Sequence, residues 1–255
     1  MPICAESDGR PLLSNPASPA LVYLHRLLRV TLQAVRLWFR EKKFFSEVHG
    51  KYDARYFREE LAPPRSTAVL TGMLAAFMDV SRAVGVKPIL AHGALIGWWW
   101  ARQLLPWDDD IDLLVSYDDL FVLRNLDGNE FEGGYLLEVN PNHVVHKSLN
   151  RDHRQNLEPN RIDARFIDTS NGLYIDITAL RAVEGKWLMT KCPHTFAVES
   201  IYPLQSSKLA GVEVFIPADV EDVLRCEYGN DVLARTTFNG YRFDEIAGVW
   251  KMLPN

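Results

Sequence analysis

The chain lacks most of what would tie it to thiol chemistry, nucleic acid or a bilayer. Its three cysteines (Cys4, Cys192 and Cys226) are odd in number and carry no ligand spacing. That excludes a disulfide framework and a thiolate zinc site. The formal charge of −5 leaves no basic footprint, so no nucleic-acid partner is expected. No uncharged apolar run reaches the roughly 18 residues that a membrane span requires. The greasiest stretch, "ALVYLHRLLRVTLQAVRLWF" (residues 20–39), is broken by His25, Arg26, Arg29 and Arg36. Arginines inside a bilayer are costly, so this stretch is expected to be an amphipathic helix and not a transmembrane span. No secretory signal is evident, and the expected location is cytoplasmic.

What is present is material for one substantial core: 47% of residues are hydrophobic and 24% charged. Residues 1–19, rich in Pro and Ser, read as a disordered leader, and residues 20–62 as an N-terminal helical segment. The Pro pair in "ELAPPRS" closes that segment, so the main domain is expected over 63–255. Val69, Leu70, Met73, Leu74, Phe77, Val80 and Val84 then recur at helical spacing, with Ser66 as N-cap and Gly85 as the residue after the C-cap. "VKPILA" reads as a short strand, Gly93 opens a second helix through the Trp triplet, and "LPWDDDIDLLVS" reads as the next strand. "RIDARFIDTSNGLYIDITAL" (161–180) is a hairpin with Asn-Gly in its turn. "VEGKWLMT" and "GVEVFIP" suggest further strands, and "ADVEDVLRCEYGNDVL" a helix ending near Gly229. The fold class is α/β in the α+β sense: a mixed sheet flanked by helices.

The chemistry concentrates in "HGALIGWWWARQLLPWDDDIDLLV" (92–115). On a strand, Asp108, Asp110 and Asp112 point one way and Asp109, Ile111 and Leu113 the other. Carboxylates so placed lie roughly 5–7 Å apart and repel by about 3 kcal/mol per pair at an effective dielectric of about 20. A divalent cation offsets that repulsion, and Mg²⁺ commonly uses one or two carboxylates plus phosphates. Asp110 and Asp112 are therefore the expected ligands of Mg²⁺ (or Mn²⁺), with Asp108 outside them. The hairpin register puts Asp163, Arg165 and Ile167 on one face with Tyr174, Asp176 and Thr178. Asp176, flanked by Ile175 and Ile177, is expected as third ligand or general base, and Asp163 as an ion-pair partner of Arg165. His92, Gly93 and Ala94 stand where strand becomes helix, a place for a phosphate against backbone amides. The polar loop holding His143, His146, Lys147, Arg151, His153 and Arg154 supplies Lys147 and Arg154 as further phosphate contacts. Of the Trp triplet, Trp98, Trp99 and Trp100 are read as packing residues. An EF-hand is excluded: it needs Gly and Glu where the chain has Leu113 and Asp119.

The stretch 92–115 resembles the signature of the LicD family: His-Gly-Thr-Leu-Leu-Gly, a basic residue, then Pro-Trp-Asp-x-Asp-hydrophobic-Asp. Ala94 replaces the common Thr or Ser, Arg102 takes the basic position, and "YIDITAL" resembles the later Ile-Asp-Ile element, giving Asp176 the third-carboxylate role. "YDARYF", "LEVNPN" and "IDARFIDTSNGLYIDITAL" resemble the fungal mannosyl-phosphate-transfer members. "PLQSSKLAGVEVFIPADVEDVLRCEYG" resembles the C-terminal stretch ending in Tyr-Gly. The resemblance covers roughly residues 50 to 230. It implies a nucleotidyltransferase-like domain and an enzyme, a phosphotransferase for substituted phosphate groups. Phosphocholine-like or sugar-phosphate groups would pass from a nucleotide-linked donor (CDP-choline or another CDP-alcohol, or a GDP-sugar) to a hydroxyl-bearing small molecule or glycan. Arg102 and Arg165 join the donor-binding set. Two alternatives stay open: a non-catalytic regulator of mannosyl-phosphate transfer, and a nucleotide-sugar glycosyltransferase using Asp-x-Asp. The fungal relatives imply the secretory pathway or Golgi as the alternative location.

Overall fold

The computed structural model describes residues 43–142, 161–191 and 194–254. Its first elements fall inside the segment expected to be helical. His49 and Gly50 both take positive φ, which closes a tight hairpin between β1 (Glu47–Val48) and β2 (Tyr52–Asp53). Tyr52 and Leu61 then enter the main core, and the Tyr52 hydroxyl accepts the Leu61 N–H at 2.7 Å. Residues 43–62 are thus part of the domain and carry no helix, because a left-handed turn interrupts the segment and its apolar residues are claimed by the core. The compact unit begins at Lys43. Residues 1–42 lie outside the described residues.

Helix α1 (Arg65–Ala83) follows the proline pair. Its stripe of Leu70, Met73, Leu74, Phe77 and Met78 is buried, as the 3.6-residue period requires. Gly85 stands one residue past the C-cap Val84 with φ +77°, the expected left-handed stop. Ser66 is not the N-cap. The chain enters the helix at Pro64, and Ser66 lies inside the first turn with its hydroxyl buried and unpartnered. The first amides of the helix are met by backbone: the Arg65 and Ser66 N–H groups both donate to the Ala62 carbonyl, at 3.0 and 3.3 Å.

The remaining elements are β3 (Ile89–Leu90), α2 (His92–Ala101), β4 (Ile111–Ser116), α3 (Tyr117–Arg124), β5 (Glu130–Phe131) and β6 (Tyr135–Val139). They continue as β7 (Ala164–Asp168), β8 (Tyr174–Val183), β9 (Trp187–Met189), β10 (Thr195–Ala197), α4 (Val198–Ile201), β11 (Gln205–Leu209), β12 (Val212–Ile216) and α5 (Val220–Tyr228). A mixed sheet runs β11-β12-β3-β4-β8-β7-β6-β5, and β9 with β10 pairs onto the far half of β8. β12–β3 and β4–β8 are parallel, and the other pairs are antiparallel. The fold is α+β, with a mixed sheet flanked by helices. β4 and β8 lie at its centre, which is why Ile111, Leu113, Leu114, Val115, Ile175 and Ile177 are all buried. After α5 comes an element the sequence reading lacked. A three-stranded sheet, β13 (Thr237–Phe238), β14 (Tyr241–Asp244) and β15 (Val249–Met252), gathers Phe243 and Trp250 around Trp100, and Phe238, Tyr241 and Trp250 around Trp107. Among the described residues no helix is long and apolar enough to cross a membrane.

The hairpin β7–β8 has the expected register, Arg165 opposite Asp176 and Ile167 opposite Tyr174. Asp163, however, does not pair with Arg165. β8 continues past the start of β7, so Arg181 Nη2 reaches Asp163 at 2.9 Å and Lys191 Nζ at 2.8 Å, while the Ala179 N–H donates to it at 2.9 Å. Removing one partner of a buried ion pair leaves charge without compensation. Asp163→Ala is therefore expected to destabilise the fold by about 3–5 kcal/mol. Equilibrium denaturant unfolding measures this, and a loss below about 1 kcal/mol would show that the cluster is dispensable.

Candidate active site

The strand pairing creates the site. β4 and β8 are parallel and in register, which sets Asp112 directly beside Asp176 on neighbouring strands. Strand neighbours are about 4.8 Å apart, so the two carboxylates share one face at close quarters. Asp110 lies two residues earlier, just ahead of β4, and Asp108 two earlier still. Asp109 forms an ion pair with Lys51; the strand expected from Leu105 onward begins only at Ile111, because a turn from Leu105 to Asp108 precedes it.

The start of α2 is held against this group. The Ala91 N–H donates to the Asp112 carbonyl at 3.2 Å. His92 takes φ +45°, a conformation a side chain rarely adopts, and this turns the chain sharply from β3 into the helix. Gly93 is needed for a different reason. A Cβ on it would stand 2.0 Å from Asp108 Oδ2, so only glycine lets the Asp108 carboxylate lie against the first turn. The face of Gly93 expected to meet a phosphate is covered by that carboxylate. Ala94 is buried in the helix.

Helix α5 brings a residue the sequence reading missed. Glu227 Oε1 is 3.1 Å from His92 Nδ1, close enough for an ion pair although not aligned as a hydrogen bond. Both Glu227 oxygens are buried without a hydrogen-bond partner. The signal was "EYG" at the end of a helix. Nothing in the spacing places that helix end beside His92, more than 130 positions earlier. His194 also faces His92, with ring centroids 5.5 Å apart.

Electrostatics follow from burial and crowding. Burial, then the charges of Asp110 and Asp112, push Asp108 up to about 8, and it donates a hydrogen bond to Asp110. Burial raises Asp112 to about 7, with His92 opposing and Asp110 and Asp176 adding to the rise. Asp110 is raised by burial and by Asp109. Burial lifts Asp176 to about 6 against the opposing charge of Arg165. Burial disfavours the charge on His92, yet Glu227, Asp112 and Asp110 outweigh it and raise the imidazole to about 9. Tyr228 is pushed well above the usual phenol range by burial and by Glu227.

Arg165 is the principal counter-charge. Its Nε donates to Asp176 Oδ1 at 2.6 Å, and Nη2 donates to Asp176 Oδ2 at 3.3 Å and to Glu47 Oε2 at 2.8 Å. The guanidinium lies 3.6 Å from the centre of the Tyr174 ring and 4.7 Å from that of Phe45. Arg102 is not here. It follows the last turn of α2 with φ +55°, over the Trp98 ring, a full helix length of about 15 Å from His92. Lys147 and Arg154, with the rest of their loop, lie outside the described residues.

The arrangement thus joins His92, Gly93, Asp108, Asp110, Asp112 and Asp176, and adds Glu227. Hard carboxylate oxygens that are buried and mutually repelling suit a hard divalent cation. Among the described residues, no group of three or more His, Cys, Asp or Glu closes on a common metal position. Asp176 is paired with Arg165, so Asp110 and Asp112 are the carboxylates that could hold such a cation.

A family model described as LicD/FKTN/FKRP, nucleotidyltransferase domain, matches residues 85–219. The chain belongs to the LicD family. The matched segment holds His92, Gly93, Asp108, Asp110, Asp112, Arg165 and Asp176, while Glu47 lies before its start and Glu227 beyond its end. Two Saccharomyces cerevisiae proteins are similar to this LicD-family chain. Mannosyltransferase regulator 4 is 35% identical over 126 residues, covering 46% of this chain and 10% of the yeast protein. Mannosyltransferase regulator 14 is 32% identical over 149 residues, covering 55% and 14%. The matched part is a small fraction of either relative.

The raised groups fix a pH dependence. A carboxyl whose folded pKa exceeds its unfolded value of 3.8 stabilises the fold below 3.8, and that contribution is lost as pH rises through the folded value, about 8 for Asp108. His92, raised from 6.5 to about 9, also loses its contribution as pH rises. Without divalent cation, Asp108→Asn is expected to melt increasingly above the parent chain between about pH 5 and about pH 8, by several degrees at the upper end. Thermal melts in chelator at both pH values measure it. Curves that stay parallel would show that Asp108 is not held neutral by its neighbours.

Proposed function

We propose that this chain is a divalent-cation-dependent transferase moving a sugar-phosphate or phosphocholine-like group from a nucleotide-linked donor to a hydroxyl acceptor. The observation that supports it most is the in-register pair Asp112–Asp176 with Asp110 beside it, a clustering of like charge that a purely structural sheet has no reason to build. Asp110 and Asp112 would hold Mg²⁺ or Mn²⁺. Such an ion supplies Lewis-acid polarisation and charge neutralisation at a phosphoryl oxygen. His92, charged at neutral pH through Glu227, binds and orients a donor phosphate. Asp176, at about 6, is mostly ionised near neutrality and accepts the proton of the acceptor hydroxyl as its oxygen bonds to phosphorus and the bond to the nucleotide breaks. Arg165 keeps Asp176 oriented and ionised. The yeast relatives' names refer to mannosyl transfer, which supports a sugar-phosphate over a phosphocholine-like group.

Those same names also support a second reading, a non-catalytic regulator that retains the family domain. Calorimetry of donor binding beside turnover separates the two. Asp112→Asn should abolish cation-dependent donor binding, and its cation-free stability should not fall. Asp176→Ala should keep donor affinity within about threefold and lose roughly 10²–10⁴-fold in turnover, the usual worth of a general base. Arg165→Met should instead lose stability, because it leaves Asp176 without its ion pair, whereas Glu47 keeps Lys43. Near-normal turnover in Asp176→Ala removes it from the site. Absence of any cation-dependent donor binding in the parent chain decides for the regulator.

A further inference from the structure

A second feature lies at the other end of α2. A cavity of 980 Å³ opens between the end of α1 and the strands β11 and β12, a volume at the upper end of small-molecule sites. Four cations line it, Arg82, Lys87, Arg102 and Lys208, against one acid, Glu213. Arg82 is taken up by Asp79 at 2.6 Å and approaches Glu213 at 3.8 Å. Among the described residues, no carboxylate lies within ion-pair distance of Lys87, Arg102 or Lys208. Arg102 Nη1 donates to the Trp98 carbonyl and the guanidinium stacks on the Trp98 ring, which leaves Nε and Nη2 for a ligand. In a chain with net charge −5, three cations without a carboxylate partner around one concavity run against the overall balance.

Part of this has a local explanation. Arg82 and Arg102 stand at the C-terminal ends of α1 and α2, where a cation also offsets the helix dipole. Lys87 and Lys208 have no such role, since they lie on the approach to β3 and on β11. The rest of the lining adds donors and an apolar floor. Ser207 Oγ accepts the Trp98 Nε1–H at 2.8 Å, which leaves its own hydroxyl hydrogen free to donate. Phe215 lies beneath Lys87, with the ammonium 5.8 Å from the ring centre. Guanidinium, two ammoniums and a hydroxyl are all donors, which matches a phosphate better than a neutral ligand.

We infer that this cavity is an anion site for a small phosphate-bearing ligand, separate from the acidic centre. α2 spans about 15 Å between the two, so the site does not depend on the function proposed above. Lys87 and Lys208 are exposed, and substitutions at such positions change stability by only about 0.5 kcal/mol. The variants therefore fold.

The test uses the full chain in chelator and low salt, with inorganic pyrophosphate titrated by calorimetry. Chelator removes the cation through which the acidic centre could hold phosphate. The parent chain is expected to bind. Lys87→Gln combined with Lys208→Gln should weaken binding about tenfold or more, as expected for losing charge-assisted hydrogen bonds. Arg102→Gln should weaken it independently, and Asp112→Asn should leave it unchanged. No binding to the parent chain, or equal binding to the double-lysine variant, overturns the inference. So does loss of binding in Asp112→Asn, which would place the pyrophosphate at the acidic centre.

Discussion

The parallel pairing of β4 with β8 is the constraint around which the molecule is arranged. It is a backbone event, driven by burying Ile111, Leu113, Val115, Ile175 and Ile177 in the middle of the sheet. Its by-product is that Asp112 and Asp176 must stand side by side, since the register that aligns the isoleucines aligns the acids too. Two cations, Arg165 and His92, offset part of that juxtaposition. Arg165 is delivered by the antiparallel neighbour β7, directly opposite Asp176, and is itself held by Glu47 from the β1–β2 hairpin and by the Tyr174 ring. Short elements far apart in sequence thus become necessary to one charge balance.

That balance is incomplete, and its incompleteness is informative. Arg165 satisfies Asp176, and the His92 charge serves Glu227 and Asp112. Asp108 and Asp110 are left with each other, bridged by a hydrogen bond that requires one of them to keep its proton. There the repulsion is relieved by protonation and not by a paired cation. The Gly93 contact matters here because it lets Asp108 approach the helix start and so crowds the group further.

Helix α2 separates two electrostatically opposite regions. One end touches the acidic group through His92, and the other, past Trp98, carries Arg102 into the basic cavity. Past His92 the helix is apolar, with Leu95 and Trp98 buried and Trp100 packed on the C-terminal strands. It acts as a rigid spacer.

Local sequence determined a good deal of this. The α1 stripe, the Asn-Gly hairpin with its register and the Gly-led helix all depend on signals written within one element. The register that sets Arg165 opposite Asp176 was legible too, although Asp163 and not Asp176 was expected as the ion-pair partner of Arg165. Tertiary structure alone decided the rest. Glu227 reaches His92 because α5 packs on α2, and Asp163 finds Arg181 and Lys191 because β8 outruns β7. Arg102, adjacent in sequence to the acidic stretch, is carried a helix length away from it. Residues 43–62 leave the expected helix because His49 and Gly50 turn left and the core takes Tyr52 and Leu61. Pattern within a segment specifies its shape and its faces, but which faces meet depends on the packing of segments distant in sequence, and no local period encodes that.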